Sequence, residues 1–421
     1  MNRVHFIGIG GVGMNGLAQL AVRRGLEVSG SDRARSSDSF LFRCLEGMGV
    51  RLVPQDGNGL SPRPDVVVYS TAIEPDNPDL GAAERLGVPL LHRAEFLERL
   101  VADAPLIAIA GTAGKTTVAG MLGHVFERLG KNPTLYNGAA LLDWRTDAEP
   151  GNVRLGDPAC WIAELDESDR SLLRFRPTHA ILTNVSKDHF DLDELHRIFG
   201  EFRRRVSGEF VEGSSTGIPL DAVPPLRMPG RHNRENARCV MALCERLGLD
   251  RDAVRQALAD FRGIERRLEK IDSSSGIAVF DDYAHNPAKI AASIAAVEET
   301  FPRTHVYWRP HGFAPLAQNL NDFADVFAAR RSPSPSFILP VYYAGGTVER
   351  TVDAPELVRL IRERGGSAET VENYAALEKS LRRHVLPGDA ILGMGARDPQ
   401  LPRFARQIAG TISPSTPRRS T

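Results

Sequence analysis

A glycine-rich stretch at residues 111–117 carries the residue types that bind phosphate. It reads GTAGKTT and follows the apolar run LIAIA. Backbone N–H groups of such a loop point at phosphate oxygens, Lys115 adds a positive charge, and the hydroxyl of Thr116 can bind Mg²⁺. A chance turn is the alternative, because Ile109 stands where the strict GxxxxGK[ST] motif begins with glycine. Its place between a strand and a helix favours a nucleotide site formed by Gly111, Thr112, Ala113, Gly114, Lys115, Thr116 and Thr117.

Two polar stretches after strand-like runs offer ligands for a metal. In AELDESD, Glu164 ends an apolar run and could hold Mg²⁺ together with Thr116. Glu167 and Asp169 fit a solvated acidic turn or a helix N-cap equally well. In TNVSKDH, His189 follows a strand expected beside that of the phosphate loop. This placement favours a role at a second metal or a phosphate, although a lone histidine is usually structural.

Another glycine-rich loop, of different design, opens the chain and is called the first loop below. HFIGIGGVGM at 5–14 places Gly8, Gly10 and Gly13 as GxGxxG between a strand and a helix, and Asp32 ends the next strand. This context predicts a nucleotide diphosphate at the helix N-terminus. A tight turn without ligand is the alternative, and the motif alone does not distinguish NAD from another nucleotide. A nicotinamide-dependent dehydrogenase would leave GTAGKTT and AELDESD unexplained.

The elements around these loops alternate between strand and helix. The runs RVHFIGIGG, PDVVVYSTAI and PLIAIAGTAGKTT are strand-like, and VGMNGLAQLAVRRG and VAGMLGHVFERLG have apolar residues at helical spacing. This alternation predicts parallel sheets covered by helices, an α/β fold. Residues 208–228 are rich in Gly, Ser and Pro and are expected to be a loop with short strands at most.

Composition excludes several classes of protein. The 421 residues predict two or three domains, and 42% hydrophobic with 25% charged residues is typical of a soluble globular protein. The net charge of −1 gives no electrostatic reason to expect nucleic acid or an anionic membrane as partner. Four scattered cysteines, no signal segment and no apolar run of about 20 residues indicate a cytoplasmic protein. The oligomeric state is not readable from the sequence.

Nine motifs in order make the chain resemble the Mur ligases. They lie between residues 5 and 287 and read HFIGIGGVGM, GSD, VVVYSTAIEPDNP, AGTAGKTT, AELDESD, TNVSKDH, PGRHNRENA, ERRLE and FDDYAHNP. The resemblance as a whole covers residues 3 to about 400. The resemblance implies a Rossmann-like N-terminal UDP-sugar domain (1–100), a central P-loop ATPase domain (101–263) and a Rossmann-like C-terminal ligase domain (264–411). Residues 412–421 are expected to form a disordered tail.

The resemblance also implies an activity, the ATP-dependent joining of a carboxylate and an amine through an acyl phosphate. The implied partners are ATP, UDP-N-acetylmuramate and L-alanine or a short peptide, with Mg²⁺ as cofactor, in peptidoglycan precursor synthesis. The implied catalytic residues are Lys115, Glu164, His189 and Arg267, and the implied metal ligands are Thr116, Glu164 and His189. The UDP-sugar would contact Gly8, Gly10, Gly11, Gly13, Asp32 and Ser70. ATP would contact the 111–117 loop, Asn233, Asn236, Arg267 and Asp282, with Tyr283 and His285 close by.

Three features depart from the family's pattern. Ala113 replaces a polar residue, residues 208–228 are shorter than the corresponding segment of relatives, and Gly312 in WRPHGFAPL replaces an arginine. Gly312 lies in the domain expected to bind the amine. The alternatives are therefore a recycling ligase that attaches a murein tripeptide, a divergent ligase with another substrate, or a nucleotide-binding module without catalysis.

Overall fold

A computed structural model describes residues 1–36, 39–186, 190–273, 276–343 and 352–412. His189 and most of the expected C-terminal tail lie outside these residues. The chain divides into two compact units. The first comprises Met1–Arg227 and Arg234–Ile264, and the second comprises Met228–Asn233 and Glu265–Thr421.

The first unit contains two parallel-rich sheets, and the N-terminal one has five strands. These are β1 (Arg3–Ile7), β2 (Glu27–Ser31), β3 (Arg51–Val53), β4 (Val66–Tyr69) and β5 (Leu90–His92). All neighbours are parallel, in the order β3-β2-β1-β4-β5. The helices are α1 (Val12–Arg23), α2 (Phe40–Gly47), α3 (Pro78–Arg85) and α4 (Arg93–Val101). The near-continuous apolar runs of β1 and β4 suit strands buried on both faces.

The second sheet of this unit has six strands. They are β6 (Leu106–Ala110), β7 (Pro133–Tyr136), β8 (Val153–Arg154), β9 (Asp157–Glu164), β10 (His179–Leu182) and β11 (Phe210–Glu212). The order is β11-β10-β6-β9-β7-β8, and only the β7–β8 pair is antiparallel. The helices are α5 (Lys115–Arg128), α6 (Leu192–Arg203), α7 (Arg231–Arg246) and α8 (Arg251–Asp260). Short 3₁₀ turns cover Ser171–Arg174, Gly213–Ser215 and Leu220–Ala222.

The two sheets of the first unit share one apolar core. A single cluster of buried side chains runs from Phe6 and Phe96 beside the N-terminal sheet to Trp161 and Phe202 beside the second. Phe6 and Phe96 pack edge to face with ring centroids 5.3 Å apart. The carboxyl ends of strands from both sheets are thereby held in fixed positions within one packed body.

The second unit contains the third sheet. Its strands are β12 (Glu269–Ile271), β13 (Ala278–Asp282), β14 (Thr304–Trp308), β15 (Ser336–Ile338), β16 (Ala368–Thr370) and β17 (Ala390–Met394). The order is β12-β13-β17-β14-β15-β16, parallel except for β12 against β13. The helices are α9 (Pro287–Glu298), α10 (Phe313–Gln318), α11 (Leu320–Ala328), α12 (Ala354–Glu363), α13 (Tyr374–His384) and α14 (Gln400–Thr411).

The expected alternation of strands and helices is therefore present in all three sheets. The segment 208–228 contains β11 and two 3₁₀ turns, as its composition predicted. Across the described ranges, no helix is long and apolar enough to cross a membrane.

Candidate active site at the two glycine-rich loops

The 111–117 loop begins where the central strand β6 ends. Ile109 pairs with Glu164 of β9 on one side, and Ala110 pairs with Leu182 of β10 on the other. The loop therefore opens between two crossovers at the carboxyl edge of the sheet, where open α/β sheets bind ligands. Gly111 has φ +128° and Gly114 has φ +83°, conformations that favour glycine.

The loop after β10 fixes the shape of this phosphate-type loop. The Thr112 N–H donates to the Asn184 carbonyl at 3.1 Å, and the Ala113 N–H donates to Asn184 Oδ1 at 3.1 Å. Asn184 Nδ2 donates to the Ala113 carbonyl at 2.8 Å, and Thr183 Oγ1 donates to the same carbonyl at 2.6 Å. A Cβ on Gly111 would clash with Thr183 Oγ1. The sequence analysis missed this function of Thr183 and Asn184, since only their position after a strand pointed to them.

Asn236 of α7 also reaches this loop. A Cβ placed on Gly114 would lie 2.5 Å from Asn236 Oδ1, so the amide packs directly against the loop backbone. The structure thus brings Asn236, one of the two asparagines implied to bind ATP, to the phosphate-type loop.

Lys115 forms a buried ion pair within the loop region. Its Nζ lies 2.6 Å from Glu167 Oε2 and donates to the Gly111 carbonyl at 2.7 Å. The Glu167 residue is only 2% exposed, so it is not part of a solvated acidic turn. Burial raises the pKa of Glu167, and the Lys115 ammonium opposes that rise. The Glu167 carboxylate and the Gly111 carbonyl therefore hold the Lys115 ammonium group against the loop.

Thr116 and Glu164 supply adjacent oxygen donors. Thr116 Oγ1 donates to Glu164 Oε1 at 2.9 Å, and the Gly138 N–H donates to Glu164 Oε2 at 2.7 Å. A hydroxyl beside a carboxylate fits Mg²⁺, which binds few protein oxygens and keeps water or phosphate as its other ligands. No group of three or more His, Cys, Asp or Glu side chains arranged for a metal occurs within the described residues. His189, the third expected ligand, lies outside them.

The N-terminal loop is closed by a carboxylate. The N–H groups of Gly8 and Ile9 donate to the Ser31 carbonyl at 2.8 and 3.0 Å, and the Gly10 N–H donates to Asp32 Oδ2 at 2.8 Å. Gly8 has φ +73°, and a Cβ on Gly10 would lie 2.8 Å from the ring of Phe42. Asp32 therefore organises the loop by binding its backbone.

Ser70 and Gly11 lie at the same carboxyl edge of the N-terminal sheet. Ser70 follows β4, and its carbonyl accepts from the Ile73 N–H at 3.0 Å. A Cβ on Gly8 would lie 3.0 Å from the Ile73 side chain, and the Gly11 N–H donates to the Gly8 carbonyl at 3.0 Å. The structure thus brings together the residues expected to contact the UDP-sugar.

The acidic segment after β9 also pairs with an arginine near the first loop. Arg93 Nη2 lies 3.0 Å from Asp166 Oδ2 and 3.3 Å from Asp169 Oδ2. Burial opposes ionisation of Asp166, but Lys115 and Arg93 hold its pKa below its usual value. A Cβ on Gly13 would lie 3.3 Å from Arg93 Nη1. The sequence analysis did not identify Arg93, because an arginine in a stretch of helical spacing carries no functional signal by itself.

Local sequence explains the position of Arg93, the first residue of α4. His92 is the N-cap: its side chain accepts from the Ala94 N–H at 3.3 Å, and Glu95 accepts from the His92 N–H at 3.0 Å. This capping box fixes the start of the helix at the carboxyl end of β5.

The remaining predicted ATP residues lie in the second unit. The Arg267 guanidinium lies over the Tyr283 ring, 5.5 Å from its centroid. Asp282 accepts hydrogen bonds from the Leu268 N–H at 2.6 Å, the Ala284 N–H at 2.7 Å and Ser293 Oγ at 3.1 Å. Within its unit, Asp282 therefore fixes the backbone around β13.

Asn233 is likewise engaged by the backbone of its own segment. It is 2% exposed, and its Nδ2 donates to the Pro229 carbonyl at 2.7 Å. This bond fixes the turn that precedes α7.

A cluster of aromatic side chains surrounds His285. The His285 ring meets the rings of Tyr283 and His311 edge to face, at centroid distances of 5.6 and 5.0 Å. Burial lowers the pKa of His285 to about 4, so its imidazole is neutral at pH 7. Gly312, the next residue after His311, has φ +99° and ψ 142°, a backbone conformation that arginine would adopt only with strain.

Three stretches of the chain match domains of one enzyme family. Residues 3–104 match the Mur ligase family, catalytic domain; residues 109–202 match the Mur ligase middle domain; and residues 266–397 match the Mur ligase, glutamate ligase domain. This chain belongs to the Mur ligase family. The predicted family and the predicted type of enzyme, a ligase, are confirmed.

Named relatives of this Mur ligase are similar over nearly their whole length. The UDP-N-acetylmuramate–L-alanine ligase of Synechococcus sp. (strain JA-3-3Ab) is 33% identical, covering 97% of this chain and 86% of that protein. The protein of the same name from Sorangium cellulosum (strain So ce56) is also 33% identical, covering 94% of each chain.

Solved structures of Mur ligases confirm the predicted three-domain α/β fold. The UDP-N-acetylmuramate–alanine ligase MurC of Thermotoga maritima superposes with a TM-score of 0.79 and 26% identity, over 97% of this chain and 98% of that one. A murein peptide ligase from Psychrobacter arcticus gives a TM-score of 0.68 at 22% identity, with 97% and 98% covered, and so shows the fold alone.

Proposed function

We propose that this Mur ligase joins L-alanine to the carboxylate of UDP-N-acetylmuramate, consuming ATP, in the synthesis of peptidoglycan precursors. The proposal rests mainly on one observation: the phosphate-type loop lies in the same packed unit as the first loop, which has the GxGxxG pattern of a diphosphate site. Lys115, Thr116 and Glu164 accompany the phosphate-type loop. One loop suits ATP and the other suits a nucleotide sugar. The names of the relatives support this choice of substrates.

The chemistry requires activation of the carboxylate. A carboxylate repels nucleophiles and has no good leaving group, whereas an acyl phosphate formed with the γ-phosphoryl of ATP releases phosphate when an amine attacks. Catalysis of such a transfer consists mostly of positioning and charge neutralisation. Lys115 would leave Glu167 and bind the β- and γ-phosphates, while the loop N–H groups orient them.

The metal would be held by the hydroxyl of Thr116 and the carboxylate of Glu164, with His189 as the further ligand that the family resemblance implies. Mg²⁺ bound there would neutralise charge on the phosphates. Gly138 would keep Glu164 oriented through its N–H. Asn236 would support the loop near the nucleotide, and either Asn233 or Asn236 would lie near the adenine.

The second unit would supply the amine and further ATP contacts. Arg267 would bind phosphate and Asp282 the ATP ribose. The proposed domain boundaries are 1–100, 101–263 and 264–411. The cytoplasmic location stays a prediction.

Gly312 favours a second candidate substrate. It stands where the family pattern has an arginine, in the domain expected to bind the amine, and its φ of +99° disfavours that larger residue. The identity of the amine is therefore the part of the proposal that Gly312 leaves open, and the murein tripeptide is the second candidate. The proposal for L-alanine therefore competes with one for a short peptide.

The test is ADP release by the purified protein with Mg-ATP and UDP-N-acetylmuramate, comparing L-alanine, glycine, L-serine and the murein tripeptide. Release with L-alanine supports the main proposal, and release with the tripeptide alone supports the second candidate. ATP binding without release for any amine would contradict both and indicate another substrate or a binding module.

A further inference from the structure

Tyr136, at the carboxyl end of β7, lies against the first glycine-rich loop. It is 6% exposed, and its hydroxyl donates to the Gly13 carbonyl at 3.1 Å. A Cβ on Gly13 would lie 2.9 Å from this hydroxyl, and one on Gly16 would lie 3.1 Å from the ring. The two glycines thus make room for a tyrosine from the second sheet to touch the turn that begins α1.

Several of the charged groups around Tyr136 also lie near the phosphate-type loop. Burial raises the pKa of Tyr136 to about 12, against the opposing effect of Arg93, so the phenol stays protonated and remains a donor. The carboxylates of Glu164 and Asp166 also raise the pKa of Tyr136. Asp166 in turn forms an ion pair with Arg93 at 3.0 Å. Tyr136 therefore lies between the N-terminal loop and the acidic segment after β9.

Two residues after Tyr136, the same segment binds the expected metal ligand. The Gly138 N–H donates to Glu164 Oε2 at 2.7 Å, and a Cβ on Gly138 would lie only 2.5 Å from that oxygen. Glu164 Oε1 in turn accepts from Thr116 Oγ1. Residues 136–138 thus contact the first loop at one end and the phosphate-type loop's partner at the other.

A buried amide network stiffens this connection. The Asn137 N–H donates to the Asn152 carbonyl at 3.1 Å, and Asn152 Nδ2 donates to Asn15 Oδ1 at 2.9 Å. Gln19 Nε2 donates to both Asn15 Oδ1 and Asn152 Oδ1 at 3.0 Å. These bonds tie α1 to the segment that follows β7, while Gln19 Oε1 and Asn137 Oδ1 have no partner within the described residues.

We infer that residues 136–138 couple the two loops, and that Tyr136 is a positioning residue which links occupancy of the first loop to the orientation of Glu164. A ligand that moves the Gly13 carbonyl moves the Tyr136 hydroxyl, and the short segment transmits this movement to Gly138. By reciprocity, binding at the phosphate-type loop must change affinity at the first loop by the same factor. The inference rests on the proposed function for the identity of the two ligands.

The test measures binding of a non-hydrolysable ATP analogue with Mg²⁺ by calorimetry, with and without saturating UDP-N-acetylmuramate. The wild-type protein is expected to bind the analogue about tenfold more tightly in the presence of the sugar nucleotide. Tyr136→Phe keeps the ring and removes the contacts of the hydroxyl with the Gly13 carbonyl and with Arg93, so it should reduce this ratio by about three- to tenfold. The reverse titration should give the same reduction.

A second buried tyrosine provides the matched control. The Tyr307 hydroxyl has no hydrogen-bond partner within the described part of the chain, and Tyr307 is fully buried. Tyr307→Phe therefore removes an equally buried hydroxyl and should leave the ratio unchanged. A purely structural role of Tyr136 would lower the melting temperature of Tyr136→Phe while the ratio stays at the wild-type value, which would overturn the inference.

The remaining outcomes separate the inference from the proposed function. Binding of both ligands by the wild type with a ratio of one contradicts the coupling alone. A wild type that binds the ATP analogue but not UDP-N-acetylmuramate contradicts the proposed substrate and, with it, the inference.

Discussion

The two glycine-rich loops of the first unit differ in where their positive charge comes from. The 111–117 loop carries its own cation, Lys115, which a buried Glu167 holds at 2.6 Å. The GxGxxG loop has none and is closed instead by the Asp32 carboxylate, while Arg93 approaches Gly13 from α4. Adjacent residues of one acidic segment serve both cations, since Asp166 pairs with Arg93 and Glu167 with Lys115.

This difference suits two ligands with different fates. A cation inside the loop can follow a phosphoryl group whose charge changes during the reaction, whereas a diphosphate that is only held needs backbone N–H groups and a fixed cation nearby. One acidic segment shared by both cations makes the two loops neighbours electrostatically as well as sterically.

The largest effect is expected from removing Lys115, the cation that the phosphate-type loop itself carries. Lys115→Ala should lower the rate of ligation by at least about 10²–10³-fold, because charge on the transferred phosphoryl group loses its partner. Lys131→Ala, at an exposed lysine beyond the same helix, is the control. Steady-state ADP release measures both variants, and unchanged ligation by Lys115→Ala would remove the phosphate-binding assignment.

The glycines of the two loops should differ in how well they tolerate replacement by alanine. Gly111→Ala places a Cβ against Thr183 at φ +128° and should cost about 2–4 kcal/mol of stability together with nucleotide binding. Gly13→Ala meets only the ends of the Tyr136 and Arg93 side chains and should cost about 1 kcal/mol, affecting the sugar nucleotide more than ATP. Denaturant unfolding and ligand titrations compare them, and equal losses would contradict the distinction.

The contribution of Arg93 can be tested by Arg93→Gln, which removes its ion pairs with Asp166 and Asp169. We expect KM for UDP-N-acetylmuramate to rise about tenfold, with a smaller rise for ATP, because each charge-assisted bond contributes about 1.5–3 kcal/mol at most. Arg99→Gln, at an exposed arginine of the same helix, is the control. A rise confined to ATP would assign Arg93 to the other loop.

The smallest effect concerns the hold of Glu167 on Lys115. Burial raises the pKa of Glu167, so lowering the pH through that value protonates the carboxyl and frees Lys115 for phosphate. The affinity for ADP should therefore rise as the pH falls. Glu167→Gln should bind ADP about threefold more tightly than the wild type at pH 7.5. Its affinity should also depend less on pH. Calorimetry at several pH values measures the affinity for ADP. The same pH dependence in both proteins would contradict competition between Glu167 and phosphate for Lys115.

Much of this arrangement was predictable from local sequence. GTAGKTT after an apolar run places Lys115 and Thr116 at the start of a helix, and Glu164 ends a strand whose register sets it beside Ile109. The buried character of Glu167 was not predictable, because AELDESD fits an exposed turn as well as a buried one. The contact between Asn236 and Gly114 joins segments about 120 residues apart and has no local signal.

The sequence by itself determined the family, the alternation of strands and helices, and the residues at the strand ends, because these depend on short-range periodicity and turn chemistry. Only the tertiary structure decided which charges pair and which tyrosine touches which glycine. Arg93, Tyr136 and Asp166 come from three different elements, and their meeting depends on how two sheets pack around one core. Periodicity records which face of an element is buried, but not what lies against that face.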